Sequence, residues 1–194
     1  ELRVSPKGTY IAVTMPIEDK TALIVIKSGE PKPIARINSR GKKSHIMNVM
    51  WVSDERLIYS VGVRDQLDEG DAYIIEQWGI NADGAKAVQL SGFTGAKSSD
   101  VSVRTGQKKN EIFAFATIDT LPNDDDNIIV SIFRPGTSYT TVERMNVNSG
   151  SRLKISQAPV KNADFWTDNA GQVRFTSGFD TDNAEKLFYR KSND

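Results

Sequence analysis

The chain has 194 residues, with 25 Lys and Arg against 25 Asp and Glu, one His and no Cys. A hydrophobic fraction of 38% beside 26% charged residues fits an ordinary globular protein and argues against extended disorder. Balanced charge removes any electrostatic case for nucleic acid or an anionic membrane as main partner, and the missing cysteines exclude disulfides, thiolate catalysis and Cys-ligated zinc. The longest apolar runs, such as Ile11-Ala12-Val13 and Ile128-Ile129-Val130, are too short to cross a bilayer. No signal peptide is visible, and a chain that starts at Glu1 is compatible with a leader removed or never included.

In chain order, the elements are short and β-like. Tyr10 to Met15, Ala22 to Ile26, Arg56 to Val61 and Asn127 to Phe133 are the clearest, each rich in Val, Ile, Thr, Tyr or Phe and bounded by Gly, Asn, Asp, Ser or Pro. No long stretch holds a helical apolar period with caps, so the chain reads as all-β. Two turn types recur in the same order. The first joins apolar strands through Ser5-Pro6-Lys7-Gly8, Val52-Ser53-Asp54-Glu55, Asn123-Asp124-Asp125-Asp126 and Asp168-Asn169-Ala170-Gly171. The second is a Gly-bearing hairpin turn at Lys27-Ser28-Gly29, Asn81-Ala82-Asp83-Gly84 and Asn148-Ser149-Gly150.

Together the two turns imply four antiparallel strands per repeat, the unit of a β-propeller blade. The markers Pro6, Asp54, Asp125 and Asn169 are 48, 71 and 44 residues apart. The long step contains 93–110, a polar Gly-, Ser- and Lys-rich insertion. The expected blades are 1–39, 45–92, 111–156 and 160–194, the last ending at the turn Lys191-Ser192-Asn193-Asp194 before a fourth strand. That makes about three and a half blades of an incomplete propeller. The unpaired edge predicts self-association or pairing with a neighbour. A β-sandwich is the competing architecture, and it would split each repeat across two sheets.

The ordered set Val4 to Val13, Trp51 to Val61, Leu121 to Val130, Val147 to Gly150, Gly171 to Phe175 and Leu187 to Arg190 resembles the N-terminal propeller of the prolyl oligopeptidase family of serine peptidases, in its dipeptidyl- and acylaminoacyl-peptidase-like branch. The resemblance implies a seven-bladed propeller that caps an α/β-hydrolase domain and filters peptide-sized substrates. It also implies a Ser-Asp-His triad with the Ser in a Gly-x-Ser-x-Gly elbow. That elbow is missing here: Gly136-Thr137-Ser138-Tyr139-Thr140 lacks the second Gly and sits between strands. No catalytic, cofactor-binding or metal residue is assigned, no cofactor is expected, and the substrate-binding residues are left unknown. The implied partners are the remaining blades and hydrolase domain of a parent chain, and peptide substrates. A stand-alone propeller binding proteins or carbohydrates is the alternative. The resemblance leans toward a periplasmic or secreted location.

Single residues read blandly beside this. His45 reads as a solvent-facing or turn-satisfying side chain, because a catalytic His needs a nucleophile and an orienting acid within reach. Asp124-Asp125-Asp126 lacks the alternating oxygens and distal Glu of a calcium loop and reads as a solvated turn. Asp65, Asp68, Glu69 and Asp71 read as a solvated hairpin, with capture of a peptide amino terminus as the functional alternative. Lys42-Lys43 and Lys108-Lys109 carry no interleaved aromatics. Trp51 and Trp166 stand before the first turns of their blades and are both expected to be buried as wedges between blades. Trp78 interrupts an apolar run with no face assigned.

Overall fold

The computed structural model describes residues 1–39, 41, 43–63, 73–92 and 111–191. All regular structure among them is β. The strands are β1 (Leu2–Val4), β2 (Tyr10–Ile17), β3 (Lys20–Lys27), β4 (Pro33–Asn38), β5 (Ser44–Trp51), β6 (Arg56–Val63), β7 (Tyr73–Asn81), β8 (Val88–Gly92), β9 (Ala114–Asp119), β10 (Asn127–Phe133), β11 (Thr141–Asn146), β12 (Arg152–Gln157), β13 (Lys161–Thr167), β14 (Val173–Phe179) and β15 (Glu185–Tyr189). Consecutive strands pair antiparallel in four meanders: β1–β4, β5–β8, β9–β12 and β13–β15. A lone parallel bridge between Thr21 and His45 joins the first two meanders. Each repeat therefore stays within one sheet, which excludes the sandwich.

The meanders stack face to face, with an apolar core between each successive pair. Ala12, Leu23, Val25 and Ala35 of the first meet Ile46, Trp51, Leu57, Tyr59 and Ile80 of the second. Val52, Ile58, Val88 and Leu90 meet Phe113, Phe115, Ile128, Val130, Ile132 and Met145 of the third. Ile129 and Val142 of the third meet Ala163, Phe165 and Val173 of the fourth. Side chains such as Leu23, Leu57, Leu90 and Ile132 are fully buried, each contributing about 1.5–3 kcal/mol of transfer free energy.

This stacking explains the apolar runs. The second and third sheets are covered on both faces, so their middle strands β6 and β10 are buried at nearly every position. In the terminal sheets, β2 and β14 are buried at few positions. The outer face of the fourth sheet leaves Trp166, Phe175, Phe179, Leu187 and Tyr189 exposed, and Leu2, Val4 and Met15 of the first sheet are exposed as well. The first strands of neighbouring meanders lie side by side: Trp51 Nε1 of β5 donates to the carbonyl of Arg3 in β1, and Thr167 Oγ1 of β13 donates to Asp119 Oδ2 of β9. They are the inner strands of four blades of a β-propeller. The turn expected at Lys191 to Asp194 and the insertion at 93–110 fall outside the described residues, apart from Lys191 itself.

Candidate functional site

Inner strands and the turns that follow them form the surface a propeller offers to a ligand, and their geometry follows from the repeated turn chemistry. In the first turn, Gly8 N–H donates to the Ser5 carbonyl and Tyr10 N–H to Ser5 Oγ; in the fourth blade, Gly171 N–H donates to the Asp168 carbonyl and Ala170 and Gln172 N–H to Asp168 Oδ1. Both turns close on a left-handed residue, with φ of 77° at Gly8 and 72° at Gly171, where glycine carries no steric cost. The turns also tie blade to blade. Asp54 accepts Ser5 Oγ at 2.6 Å and Lys7 N–H at 2.9 Å, bridging the first turns of the first two blades. Burial works to raise the Asp54 carboxyl, but the hydrogen bonds from Ser5, Thr9 and Lys7 hold it below the ordinary carboxylate range.

Inner strands β5 and β13 carry the same irregularity. Each has one extra residue in its ladder, between Met47 and Met50 and between Lys161 and Asp164. Each places an Asn in the left-handed region, with φ of 52° at Asn48 and 48° at Asn162. Counting from these asparagines, Trp51 corresponds to Phe165 rather than Trp166, and both are buried. Trp166 stands on the opposite face and is 47% exposed, so the expectation of a matched, buried tryptophan pair is corrected. The period-2 alternation of a strand moves a residue to the other face for a shift of one. Trp51 stacks on Tyr10 with ring centroids 6.1 Å apart. Trp78 packs partly buried against the first core and donates Nε1–H to Glu76.

Two charged groups inside the stack escaped the sequence reading. Arg56, 3% exposed, donates to Asn81 Oδ1 and the Lys86 carbonyl at 2.9 Å and, across the interface, to the Val147 carbonyl of the third blade at 2.6 Å. Burial pushes its guanidinium down to about 10, against the attraction of Asp126. In the third blade, Arg134 pairs Glu111 at 2.9 Å and Glu143 at 2.8 Å, while Arg152 pairs both carboxylates and lies 3.9 Å from the centre of the Phe113 ring. Burial opposes ionisation of Glu111, yet Arg134 and Arg152 hold its carboxyl below the usual range. Two Arg against two Glu leave the cluster neutral, a structural knot rather than a charged binding site.

A cleft of about 490 Å³ opens between the third and fourth blades, lined by Leu121, Asp124, Arg144, Leu153, Ile155 and the turn at Asn169 to Gln172 among others. Here Asp124 is more than a solvated turn residue. It accepts from the N–H groups of Asp126 and Asn127, from the Asn127 amide, and from Arg144. Burial raises its carboxyl, and those donors more than compensate, leaving it below the usual range.

The other candidates stay apart. His45 is partly buried at the start of β5, with Nδ1 3.1 Å from Thr21 Oγ1, and no carboxylate among the described residues hydrogen-bonds it. Ser138 lies in the connection between β10 and β11, where its carbonyl accepts Asn162 N–H. Lys43 donates its N–H to Asp19. Lys42, the acidic group Asp65, Asp68, Glu69 and Asp71, and the pair Lys108-Lys109 lie outside the described residues. Among the described residues, no three His, Cys, Asp or Glu side chains converge as a metal site.

No protein-family model and no curated protein matches the chain. Solved structures do. An oligogalacturonate lyase in complex with manganese matches with a TM-score of 0.57 at 12% identity, over 97% of this chain and 49% of that one. An oligogalacturonate lyase from Vibrio parahaemolyticus matches at 0.55 and 10% identity, over 97% and 50%. Oligopeptidase B from Leishmania major matches at 0.53 and 10% identity, over 91% of this chain and 22% of that one. This chain has the β-propeller fold. It spans about half the length of the lyases and about a fifth of the oligopeptidase. At such identities the likeness extends to the fold alone.

Proposed function

We propose that the chain is the non-catalytic propeller part of a serine peptidase of the prolyl oligopeptidase family, which gates and positions peptide substrates for an α/β-hydrolase domain elsewhere in the parent protein. The observation that carries this reading is the ordered turn set. Ser5-Pro6-Lys7-Gly8 and Ser53-Asp54-Glu55-Arg56 hold the sequence resemblance, and they are also the residues that clasp one blade to the next through Ser5–Asp54 and Arg56–Val147. The fold-level likeness to oligopeptidase B supports it. On this reading the segment supplies a rigid scaffold and a narrow approach, while bond cleavage belongs to a nucleophile that the chain does not carry. Its partners are the remaining blades, the hydrolase domain and the peptide in transit.

The likeness to the lyases supports a second reading, a propeller with its own ligand-binding role and no peptidase attached. Reading the source gene past the codon for Asp194 separates the two. Further blades followed by Gly-x-Ser-x-Gly, then Asp and His, would establish the peptidase reading; a stop codon soon after Asp194 would remove it. The 194-residue chain should show no labelling by a serine-directed fluorophosphonate. Turnover of a peptide that such an inhibitor abolishes would contradict the non-catalytic assignment.

A further inference from the structure

The two left-handed asparagines on the inner strands have no evident structural duty for their side chains. The preceding blade and the neighbouring strand partner the main chain around each bulge. In β5, Val49 N–H donates to Glu1 and the Val49 carbonyl accepts from Arg3 Nε, both at 3.3 Å. In β13, Asn162 N–H donates to the Ser138 carbonyl at 2.8 Å, the Ala163 carbonyl accepts from Thr140 Oγ1, and the Asp164 carbonyl accepts from Thr176 Oγ1. The residues that follow, Val49 and Ala163, are buried in the cores, whereas Asn48 and Asn162 are exposed. Neither side-chain amide makes a hydrogen bond among the described residues. Elsewhere among the described residues the chain meets a positive φ with glycine seven times, at turns such as Gly8, Gly29, Gly84 and Gly171, and with Glu18, Lys43, Lys86, Leu121 and Asn183. On the inner strands of the second and fourth blades it uses Asn instead, keeping an amide that both donates and accepts.

We propose that Asn48 and Asn162 are substrate-binding residues, two hydrogen-bonding stations for the main chain of an extended peptide passing along the inner strands. An amide offers one donor group and one acceptor, which matches a peptide unit without regard to its side chain. Two such stations on separate blades suit a filter that must hold many sequences without discriminating among them. The choice of a peptide rests on the reading given above. Absence of a hydrolase in the gene would overturn that reading while leaving this binding test in force.

The substitutions Asn→Gly and Asn→Asp remove the amide while tolerating the left-handed backbone. The probe is an acetylated, amidated ten-residue Gly-Ser peptide, titrated into the full 194-residue chain with 15N in its Asn side chains. The expected result is a saturable shift of the Asn48 and Asn162 side-chain resonances. N48G, N162G, N48D and N162D should each weaken binding roughly two- to tenfold, the worth of one net hydrogen bond or two, at unchanged melting temperature. No saturable shift, or unaltered affinity in all four well-folded variants, would overturn the proposal. So would Asn-dependent binding of a galacturonate oligomer with none of the peptide, which would assign a sugar ligand instead.

Discussion

Arg56 offers the sharpest test of how the blades are held together. Its three hydrogen bonds reach Asn81, Lys86 and, across the interface, Val147. Among the described residues no carboxylate hydrogen-bonds it, and its buried Nε has no partner. Its charge is disfavoured by burial, as the drop to about 10 records. Arg56→Met keeps most of the volume and removes the charge, so it separates two opposing effects. Relief of the buried guanidinium favours the variant, while three acceptors lose their donor. A buried acceptor left without a donor costs about 1–3 kcal/mol, and relief of the charge returns part of that total. The expected net loss is about 2–4 kcal/mol, or roughly 5–15 °C in melting temperature for a chain of this size. Arg56→Ala adds a cavity and should lose more. Urea unfolding at pH 7 measures both. An Arg56→Met protein as stable as the parent would refute the reasoning, because the desolvation cost would then match the value of the hydrogen bonds. The sign also appears in alkali. With a native value near 10, well below the ordinary one, the unfolded chain binds more protons between the two, so this group makes stability rise with pH across that window.

The remaining predictions use the same contacts. A methyl group added at Gly79 would sit 2.6 Å from the Val147 carbonyl and 2.9 Å from the Arg56 guanidinium, so Gly79→Ala should cost about 2 kcal/mol or more. Gly8→Ala meets no atom within 4 Å and should cost only about 1 kcal/mol for its positive φ; equal melting temperatures for the two variants would contradict the close approach. Asp54, Glu111 and Asp124 all titrate below their ordinary values, so their contribution is complete above the ordinary values of 3.8 and 4.5 and is lost as pH falls through the depressed native ones. Glu111→Gln should flatten the fall in melting temperature between about pH 5 and pH 3, and an unchanged slope would show that the Arg134–Glu111–Arg152 contacts add nothing. Trp166→Phe should remove most of the acrylamide-quenchable tryptophan fluorescence and Trp51→Phe little of it, since the first ring is exposed and the second buried.

The strand pattern and the turns were legible because they are local. β-Branched runs, Ser-Pro-Lys-Gly, Asp-Asn-Ala-Gly and the Gly-bearing hairpins each encode their geometry within a few residues, and their repeated order points to blades. The likeness to solved propellers agrees with that fold. Trp166 shows where local reading stops. Its neighbourhood looks like that of Trp51, but one bulge residue sets which side chain faces the core, and the register depends on pairing with β14. The charged interior was equally hidden. Arg56 opens an apolar strand and looks like a surface residue, while Glu111 and Arg134 are 23 residues from each other in sequence and Glu111 and Arg152 are 41. Strand pairing within the third blade brings Glu111, Arg134 and Arg152 together, and only the stacking of one blade on the next brings Arg56 to the Val147 carbonyl, where its buried charge is held by hydrogen bonds to neutral acceptors. The asparagines of β5 and β13 lie between these cases. Their types stand in the sequence, but their left-handed backbones and unbonded amides appear only once the bulges are held by neighbouring elements, because a bulge is a property of a pair of strands and never of one.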